Sequence, residues 1–271
     1  MANLSVAPGL ELHYYDDDFT DPWQPAPTVL LQHGFSRSGR FWYNWVPLLA
    51  REFRVLRPDL RGMGRSTMAE EAYEPLLDTF MADLNAILDS QGIDRVVYMG
   101  ESFGGILGLS FAHAFPDRVQ ALVLCNTPCR LPRRGRADPG SAENAALNRS
   151  VGAWSTATID NRLDTRAAPQ GMKEWYISEM DRTTPSIGRK LQAYLETLDF
   201  RPYLKEVATP TLLLSGEESP TSTLDQQQFM AEELPHCRLA TYPGLGHGIN
   251  AIYPEWCVAR MREFLAEYPD T

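Results

Sequence analysis

The chain has 271 residues, of which 44% are hydrophobic and 22% are charged, and it carries a formal net charge of −10. This length and composition suit one large domain with a substantial core, and the acidic balance argues against a nucleic-acid partner, which usually presents a clustered basic face. No apolar segment approaches the roughly 20 residues that a membrane-spanning helix needs, and no signal peptide is evident, so we expect a cytoplasmic protein with no membrane partner.

The first half of the chain alternates short apolar segments with amphipathic ones. Strands are expected at 28–32, 53–57, 96–99 and 122–125, and helices at about 41–51 and 76–91. Such alternation is typical of parallel strands joined by helical crossovers. The sequence therefore predicts an α/β fold with a doubly wound, mostly parallel sheet.

The pattern changes after Pro128, because the segment from Leu131 to about Tyr203 contains helical patterns and no strand-like run. Strands are expected again at 212–215 and 239–242, and a last helix at 254–267. We therefore predict a core formed by 1–130 and 204–271, with 131–203 inserted as a helical lid over the carboxyl ends of the strands, where open α/β sheets bind ligands. The segment 130–136 carries four arginines and is interpreted as a solvated loop or hinge in preference to an anion site.

Cofactor and metal signals are missing from the sequence. The four cysteines contain no C-x-x-C pair, and no phosphate-binding glycine loop, dinucleotide fingerprint or metal-ligand triad occurs. We expect buried free thiols, no metal and no cofactor.

The pentapeptide Gly100–Gly104 has the form G-x-S-x-G and lies between a predicted strand and an apolar helical segment. In that setting a sharp turn lifts the serine hydroxyl above the sheet, and the start of the helix offers free N–H groups to a developing oxyanion. Ser102 is therefore the candidate nucleophile. The alternative is an inert turn in which Ser102 only caps the helix.

A serine hydroxyl needs an adjacent base, and His247 is the strongest of the five histidines. It lies in a glycine-flanked loop between the last strand and the last helix, at the same edge of the sheet as the candidate nucleophile. The backbone amides of Phe35 and Phe103 are the expected oxyanion donors, and His33 is expected to shape that loop. Arg37 and Arg40 are interpreted as surface arginines in preference to ligands for a substrate carboxylate.

Four motifs together resemble the α/β-hydrolase superfamily: His33-Gly34-Phe35, the segment from Asp59 to Ser66, Gly100 to Gly105, and Gly246-His247. The segment from Ala121 to Thr127, followed by a helical insertion, resembles the 3-oxoadipate enol-lactonase-like branch. The resemblance implies a Ser-His-acid triad, a backbone oxyanion hole, a pocket for an acyl group or lactone under the lid, and no cofactor. It also implies that Asp59 and Arg61 are scaffold residues.

The sequence departs from that family at the acid of the triad. The family's G-x-x-D pattern would place an aspartate where this chain has Ser219. We predict that Glu218 takes the role, with Asn126, Glu217, Asp225 or no acid at all as the alternatives. Glu101, beside the candidate nucleophile, is interpreted as structural.

The hypothesis from sequence is a cofactor-independent serine hydrolase acting on a small apolar or aromatic ester or lactone through an acyl-enzyme. One alternative is a carbon–carbon bond hydrolase of β-diketone-like compounds, which would use the same residues. Another is a ligand-binding relative in which the missing aspartate marks weak catalysis. The sequence leaves the oligomeric state open, a homodimer included.

Overall fold

The structure, a computed structural model, describes residues 2–131 and 141–268. Eight strands form one sheet in the order β1-β2-β4-β3-β5-β6-β7-β8. The strands are β1 Ala2–Ala7, β2 Leu10–Asp17, β3 Thr28–Gln32, β4 Arg54–Pro58, β5 Val96–Glu101, β6 Val119–Cys125, β7 Thr211–Gly216 and β8 Cys237–Tyr242. Strands β3 to β8 pair in parallel, and the β1–β2 hairpin adds two antiparallel strands at one edge. The predicted doubly wound, mostly parallel sheet is confirmed.

The helices cover both faces of the sheet. They are α1 Val46–Leu49, α2 Leu77–Ser90, α3 Phe103–Ala114, α4 Ala142–Arg149, α5 Val151–Thr158, α6 Gln170–Met180, α7 Pro185–Leu195, α8 Leu224–Glu233, α9 Ile249–Ile252 and α10 Pro254–Leu265. Short 3₁₀ turns occur at Gly39–Trp42, Glu70–Ala72, Pro116–Arg118, Ile159–Asn161 and Arg201–Glu206. Within the described ranges, no helix is long and apolar enough to cross a membrane.

Two hydrophobic clusters sandwich the sheet, because successive side chains of a strand point to opposite faces. In β3, Leu30 belongs to one cluster, together with Phe80 of α2, whereas Val29 and Leu31 belong to the other, together with Phe264 of α10. Burial on both sides explains why the strands appear in the sequence as continuous apolar runs without polar alternation.

The helix expected at 41–51 is the clearest departure from the predicted elements. Its place is taken by the 3₁₀ turn at Gly39–Trp42 and the four-residue helix α1. Pro47 lies inside the predicted range and has no backbone N–H, so it is tolerated in the first turn of a helix but not in its interior. A continuous helix is therefore interrupted, and a short one begins at Val46 with Pro47 in its first turn.

Between β6 and β7 the chain forms the helices α4 to α7, at the edge of the sheet where the parallel strands end. Trp154 of α5 packs edge-on against Phe35, which follows β3, with ring centroids 5.0 Å apart. The predicted arginine-rich segment lies mostly outside the described residues, since Arg133, Arg134 and Arg136 fall there.

Candidate active site

Ser102 occupies a strained turn between β5 and α3. Its backbone angles are φ 54° and ψ −118°, a combination that non-glycine residues rarely adopt. A Cβ on Gly104 would meet the carbonyl oxygen of Gln32 at 2.4 Å, and one on Gly100 would meet the carbonyl oxygen of Gly104 at 2.4 Å. The two glycines of the motif therefore allow backbone segments to touch on either side of Ser102, as a nucleophile elbow requires.

The loop after β3 lies against this turn. A Cβ on Gly34 would stand 3.2 Å from the Cβ of Ser102, and Ser36 has a positive φ of 51°. Phe103 is the first residue of α3, so its N–H has no partner within the helix. The structure thus brings the loop that contains Phe35 and the start of α3 to Ser102.

His33 holds the same loop in place. Its Nδ1 donates to the carbonyl oxygen of Gly34 at 2.8 Å, and its Nε2 accepts the N–H of Leu60 at 3.0 Å. Burial lowers the pKa of His33 to about 4, so the ring stays neutral. With both nitrogens engaged by backbone groups, His33 shapes the loop and has no free atom for proton transfer.

His247 lies in the loop between β8 and α9 and is fully buried. Hydrogen bonds hold the backbone on both sides of it. Asp164, in the loop between the 3₁₀ turn at Ile159–Asn161 and α6, accepts the N–H of Gly246 at 2.8 Å and donates its own N–H to the carbonyl oxygen of His247 at 2.9 Å. Asn126, after β6, accepts the N–H of Gly248 at 3.1 Å. These contacts fix the loop, and through it the position of the imidazole.

Two hydroxyl groups meet Nδ1 of His247. Ser219 Oγ lies 2.9 Å away and Thr221 Oγ1 lies 2.8 Å away. Thr221 donates its only hydroxyl hydrogen to the carbonyl oxygen of Asn161 at 3.3 Å, so it can only accept from the ring. The arrangement therefore places the ring hydrogen on Nδ1 and leaves the lone pair on Nε2, which is the tautomer that a general base requires.

The structure does not bring Glu218, the residue predicted to be the acid, to His247. Its carboxylate is about half exposed and pairs with Arg166 at 2.8 Å. The side chain leaves the end of β7 toward solvent, whereas Ser219, the next residue, faces inward. Among the alternatives, Glu217 accepts from Thr241, Asn126 contacts the backbone of the histidine loop, and Asp225 lies in the first turn of α8.

Arg37, interpreted as a surface residue, and Glu101, interpreted as structural, form a buried ion pair beside the histidine. Arg37, expected at the surface, is only 4% exposed, because its guanidinium pairs with Glu101, which is 1% exposed. The other carboxylate oxygen, Oε1 of Glu101, stands 3.3 Å from Nε2 of His247. Arg40, by contrast, is partly exposed, as expected, and pairs with Glu179 at 2.6 Å.

The pKa values of this group follow from burial and charge. Burial alone would raise the pKa of the Glu101 carboxyl, but its charged surroundings, Arg37 foremost, outweigh burial and lower that pKa to about 2. Burial lowers the pKa of His247 below its ordinary value, against the opposing attraction of Glu101. At neutral pH the site therefore contains an ionised Glu101 and a neutral imidazole.

Ser102 and His247 line one small cavity of about 50 Å³, together with Phe35, Leu131, Trp154, Arg162, Gln192, Leu195 and Thr221. Within the described part of the chain, no hydrogen bond joins the Ser102 hydroxyl to Nε2 of His247. A larger groove of about 700 Å³ lies elsewhere, between Tyr15, Tyr43 and Trp175, and neither Ser102 nor His247 lines it. The small cavity is therefore the candidate active site.

No group of three or more His, Cys, Asp and Glu side chains that could hold a metal ion occurs in residues 2–131 and 141–268. The described cysteines are all free thiols. Asp59 accepts the N–H groups of Gly39 at 2.6 Å and Arg65 at 2.8 Å, and Arg61 pairs with Asp83 at 2.6 Å. These contacts fit the scaffold roles that the resemblance implies for both residues.

Sequence reasoning missed the inward-facing groups around His247. In the sequence, Ser219 stands out only as the residue at the expected aspartate position, Thr221 belongs to no motif, and Asp164 lies in the predicted lid segment outside any motif. The spacing Ser219-x-Thr221 after a strand was the available signal, but two small hydroxyl residues in a loop are too common to identify a ring partner on their own.

The chain is similar to known hydrolases in sequence. A family model described as the alpha/beta hydrolase fold matches residues 27–251. A putative carbamate hydrolase, RutD, from Pseudomonas syringae is 27% identical over 257 residues, which cover 90% of this chain and 95% of that protein.

Two solved structures resemble the chain over nearly its whole length. A hydrolase from Pseudomonas aeruginosa has a TM-score of 0.85 and 25% identity, with 97% of each chain covered. The enol-lactonase from Burkholderia xenovorans has a TM-score of 0.86 and 22% identity, with 98% of this chain and 100% of that chain covered. At that level of identity the second likeness concerns the fold.

Proposed function

Because the chain belongs to the alpha/beta hydrolase family, we propose that it is a cofactor-independent serine hydrolase that cleaves carboxylic esters or lactones through an acyl-enzyme. The observation that carries the proposal is the strained Ser102 at the start of α3, lining one cavity with a neutral, buried His247. A positive φ at a non-glycine residue is costly and persists mostly where function uses it.

In this mechanism Ser102 Oγ attacks the carbonyl carbon while its proton passes to Nε2 of His247. The amides of Phe35 and Phe103 hold the oxyanion of the tetrahedral intermediate. Collapse of the intermediate expels the alkoxide, which takes the proton from Nε2. His247 then removes a proton from water as the water oxygen attacks the acyl-enzyme, and the second tetrahedral intermediate collapses as Ser102 Oγ leaves and takes the proton back from Nε2.

The cavity walls favour an apolar acyl group or lactone ring, because Phe35, Leu131, Trp154 and Leu195 supply most of the surface near Ser102. The volume of about 50 Å³ is far below the roughly 300 Å³ of a typical ligand pocket, and we therefore expect α4 to α7 to act as a lid that opens to admit substrate. The named relatives add support, since a lactone and a carbamate both present a carbonyl carbon to a nucleophile.

The test is steady-state hydrolysis of a short-chain nitrophenyl ester and a panel of small lactones. Wild type is compared with Ser102→Ala and with Ser110→Ala, a matched control on the same helix whose hydroxyl bonds the carbonyl oxygen of Ile106. We expect Ser102→Ala to lose turnover by at least about 1,000-fold and Ser110→Ala to retain it. Equal turnover in Ser102→Ala and wild type would overturn the proposal.

One observation favours a second candidate, a ligand-binding relative with weak catalysis. Nδ1 of His247 meets uncharged hydroxyls where a triad supplies a carboxylate, and that charge normally stabilises the imidazolium. Release of one product equivalent per site, without further turnover, would support this candidate. A wild type that is inert toward esters and lactones but cleaves a β-diketone would favour the carbon–carbon hydrolase.

A further inference from the structure

Glu101 is a buried carboxylate with one oxygen engaged and one oxygen aimed at the candidate base. Arg37 holds the first oxygen, Oε2, and the Arg37 guanidinium is itself enclosed by the rings of Phe41 and Tyr176, 5.6 and 5.0 Å from their centroids. Arg37 thus fixes the position of the carboxylate through Oε2. The second oxygen, Oε1, lies 3.3 Å from Nε2 of His247.

In the resting site these two atoms face each other without a hydrogen between them. Nδ1 carries the ring hydrogen toward Ser219 and Thr221, so Nε2 presents a lone pair. Neither Glu101 Oε1 nor His247 Nε2 makes a hydrogen bond within the described residues, and both are buried. A buried acceptor without a donor costs free energy.

Transfer of a proton to Nε2 gives Glu101 Oε1 a hydrogen-bond donor, so two acceptors no longer face each other. When the Ser102 hydroxyl gives its proton to His247, the new N–H lies within reach of Glu101 Oε1, and the imidazolium gains a carboxylate neighbour. This interaction is stronger in the transition state than in the ground state, which is the condition for lowering a barrier. It rests on the function proposed above, since only a base that receives a proton can use it.

We propose that Glu101 is a positioning residue that supplies, at Nε2 of His247, the negative charge that a triad aspartate would supply at Nδ1. Arg37 keeps this carboxylate ionised and in place, while Ser219 and Thr221 orient the ring. In the usual triad one aspartate both orients the imidazole and supplies the negative charge. Here Ser219 and Thr221 orient the ring at Nδ1, and Glu101 supplies the charge at Nε2.

The charges around His247 are consistent with this division. Glu101 raises the pKa of His247, whereas burial, Arg37 and Arg162 lower it. Glu101 is in turn faced by Arg37 and lies close enough to His33 and Cys125 to influence their pKa values. Removing the Glu101 charge would therefore leave His247 facing two arginines without compensation.

The test is Glu101→Gln, which keeps the size of the side chain and removes its charge. We expect kcat for the ester or lactone substrate to fall about 100-fold with little change in KM, as for loss of one transition-state contact. The acidic limb of the kcat/KM profile should also move to lower pH, because the imidazolium loses its carboxylate and the pKa of His247 falls further. A purely structural role would lower the amount of folded enzyme without moving that limb.

Because Glu101→Gln leaves Arg37 buried without its partner, the double variant Arg37→Met/Glu101→Gln provides a second measurement. Replacing both members of a buried pair is often tolerated where removing one is not. The acidic limb should again move to lower pH, but by less than in Glu101→Gln alone, because this variant also removes Arg37, which lowers the pKa of His247. Asp83→Asn is the matched control, since Asp83 is also a buried partner of an arginine, Arg61, and lies on α2 outside the cavity lining. We expect its stability to fall without a limb shift.

The outcomes separate this inference from the proposed function. Loss of turnover in Ser102→Ala, together with unchanged kcat and an unmoved acidic limb in the two Glu101 variants, would overturn the role of Glu101 alone. Undiminished turnover in Ser102→Ala would overturn the proposed function itself. A limb that moves to higher pH in Glu101→Gln would contradict the inference, because it would mean that the carboxylate disfavours the imidazolium.

Discussion

The hydroxyl oxygens of Ser219 and Thr221 determine which nitrogen of His247 carries the hydrogen. Both oxygens lie within 2.9 Å of Nδ1, and the ring is fully buried, so water cannot replace them. Loss of both acceptors would leave the buried Nδ1–H of His247 without a partner, which costs about 1–3 kcal/mol. It would also remove the preference for the tautomer that carries its hydrogen on Nδ1. The orientation of the His247 ring therefore depends on two uncharged hydroxyl groups, either of which can accept the Nδ1 hydrogen.

This redundancy predicts a non-additive mutant series. Ser219→Ala and Thr221→Val each leave one acceptor at Nδ1, and we expect kcat to fall less than about 10-fold in either. The double variant should lose about 100-fold, because Nδ1 then has no partner and the ring can adopt the wrong tautomer. Steady-state kinetics on one ester for wild type and the three variants measure the series.

Glu218→Gln is the control for that series. Its carboxylate pairs with Arg166 at the surface, so kcat should stay within about twofold of wild type. A loss in Glu218→Gln as large as in the double variant would contradict the hydroxyl assignment and restore Glu218 as the acid.

The part of the site that a contiguous motif specifies could be predicted from the sequence, whereas the part assembled from distant segments could not. The G-x-S-x-G turn is a contiguous motif whose glycines and strand–helix context determine the backbone, so Ser102 could be singled out from sequence. The partners of His247 come from loops after β7 and from the end of β5, distant in sequence and adjacent only when the sheet is assembled. Sequence position alone could not tell that Glu218 points outward and Ser219 inward.

At the scale of elements, strands were easier to predict than helices. The parallel strands β3 to β7 are almost wholly buried, and their apolar runs stand out from the neighbouring sequence. The antiparallel β1–β2 hairpin, which lies at the edge and is partly exposed, carries a weaker pattern. The break between Gly39–Trp42 and α1 shows the limit of helical periodicity, since a single proline overrides a well-spaced set of apolar residues.

Helix α5 couples the inserted helices to the candidate oxyanion loop through Trp154. The indole packs on Phe35, and the guanidinium of Arg162 lies over its face at 4.0 Å. Because Trp154 also lines the cavity, its side chain sets the room available beside Ser102. We therefore expect Trp154 to limit the size of the acyl groups that the cavity accepts.

We predict that Trp154→Ala shifts preference toward longer acyl chains. Removing the indole enlarges the cavity, and each added methylene that finds apolar contact is worth about 1–3 kcal/mol. The ratio of kcat/KM for a hexanoyl over an acetyl nitrophenyl ester should rise about 10-fold or more. Trp175→Ala is the control, since Trp175 packs on Phe41 and Tyr43 and lines the separate groove. An equal shift in both variants would contradict a specific role for Trp154.

Across the whole molecule, buried titratable groups make opposing contributions to stability as the pH falls. Burial lowers the pKa of His33 to about 4, so the folded state binds fewer protons than the unfolded state below pH 6.5, and stability is lost as the pH falls toward 4. Burial raises the pKa of Asp59 to about 6, so stability is gained as the pH falls from 6 toward 3.8. These two shifts correspond to about 3 kcal/mol each and nearly cancel.

We therefore expect the free energy of unfolding of the wild type to change little between pH 6 and 4, apart from the loss contributed by His247, whose pKa burial also lowers. Asp59→Asn removes the compensating carboxyl and should steepen the loss over that interval by about 3 kcal/mol. Below pH 4.5 both proteins should lose further stability, because Glu101, with its pKa lowered to about 2, must take up a proton on unfolding. Urea unfolding at pH 7, 6, 5 and 4 measures both slopes. Parallel slopes for wild type and Asp59→Asn would contradict the compensation, because they would mean that Asp59 does not change its protonation between pH 6 and 4 in the folded protein.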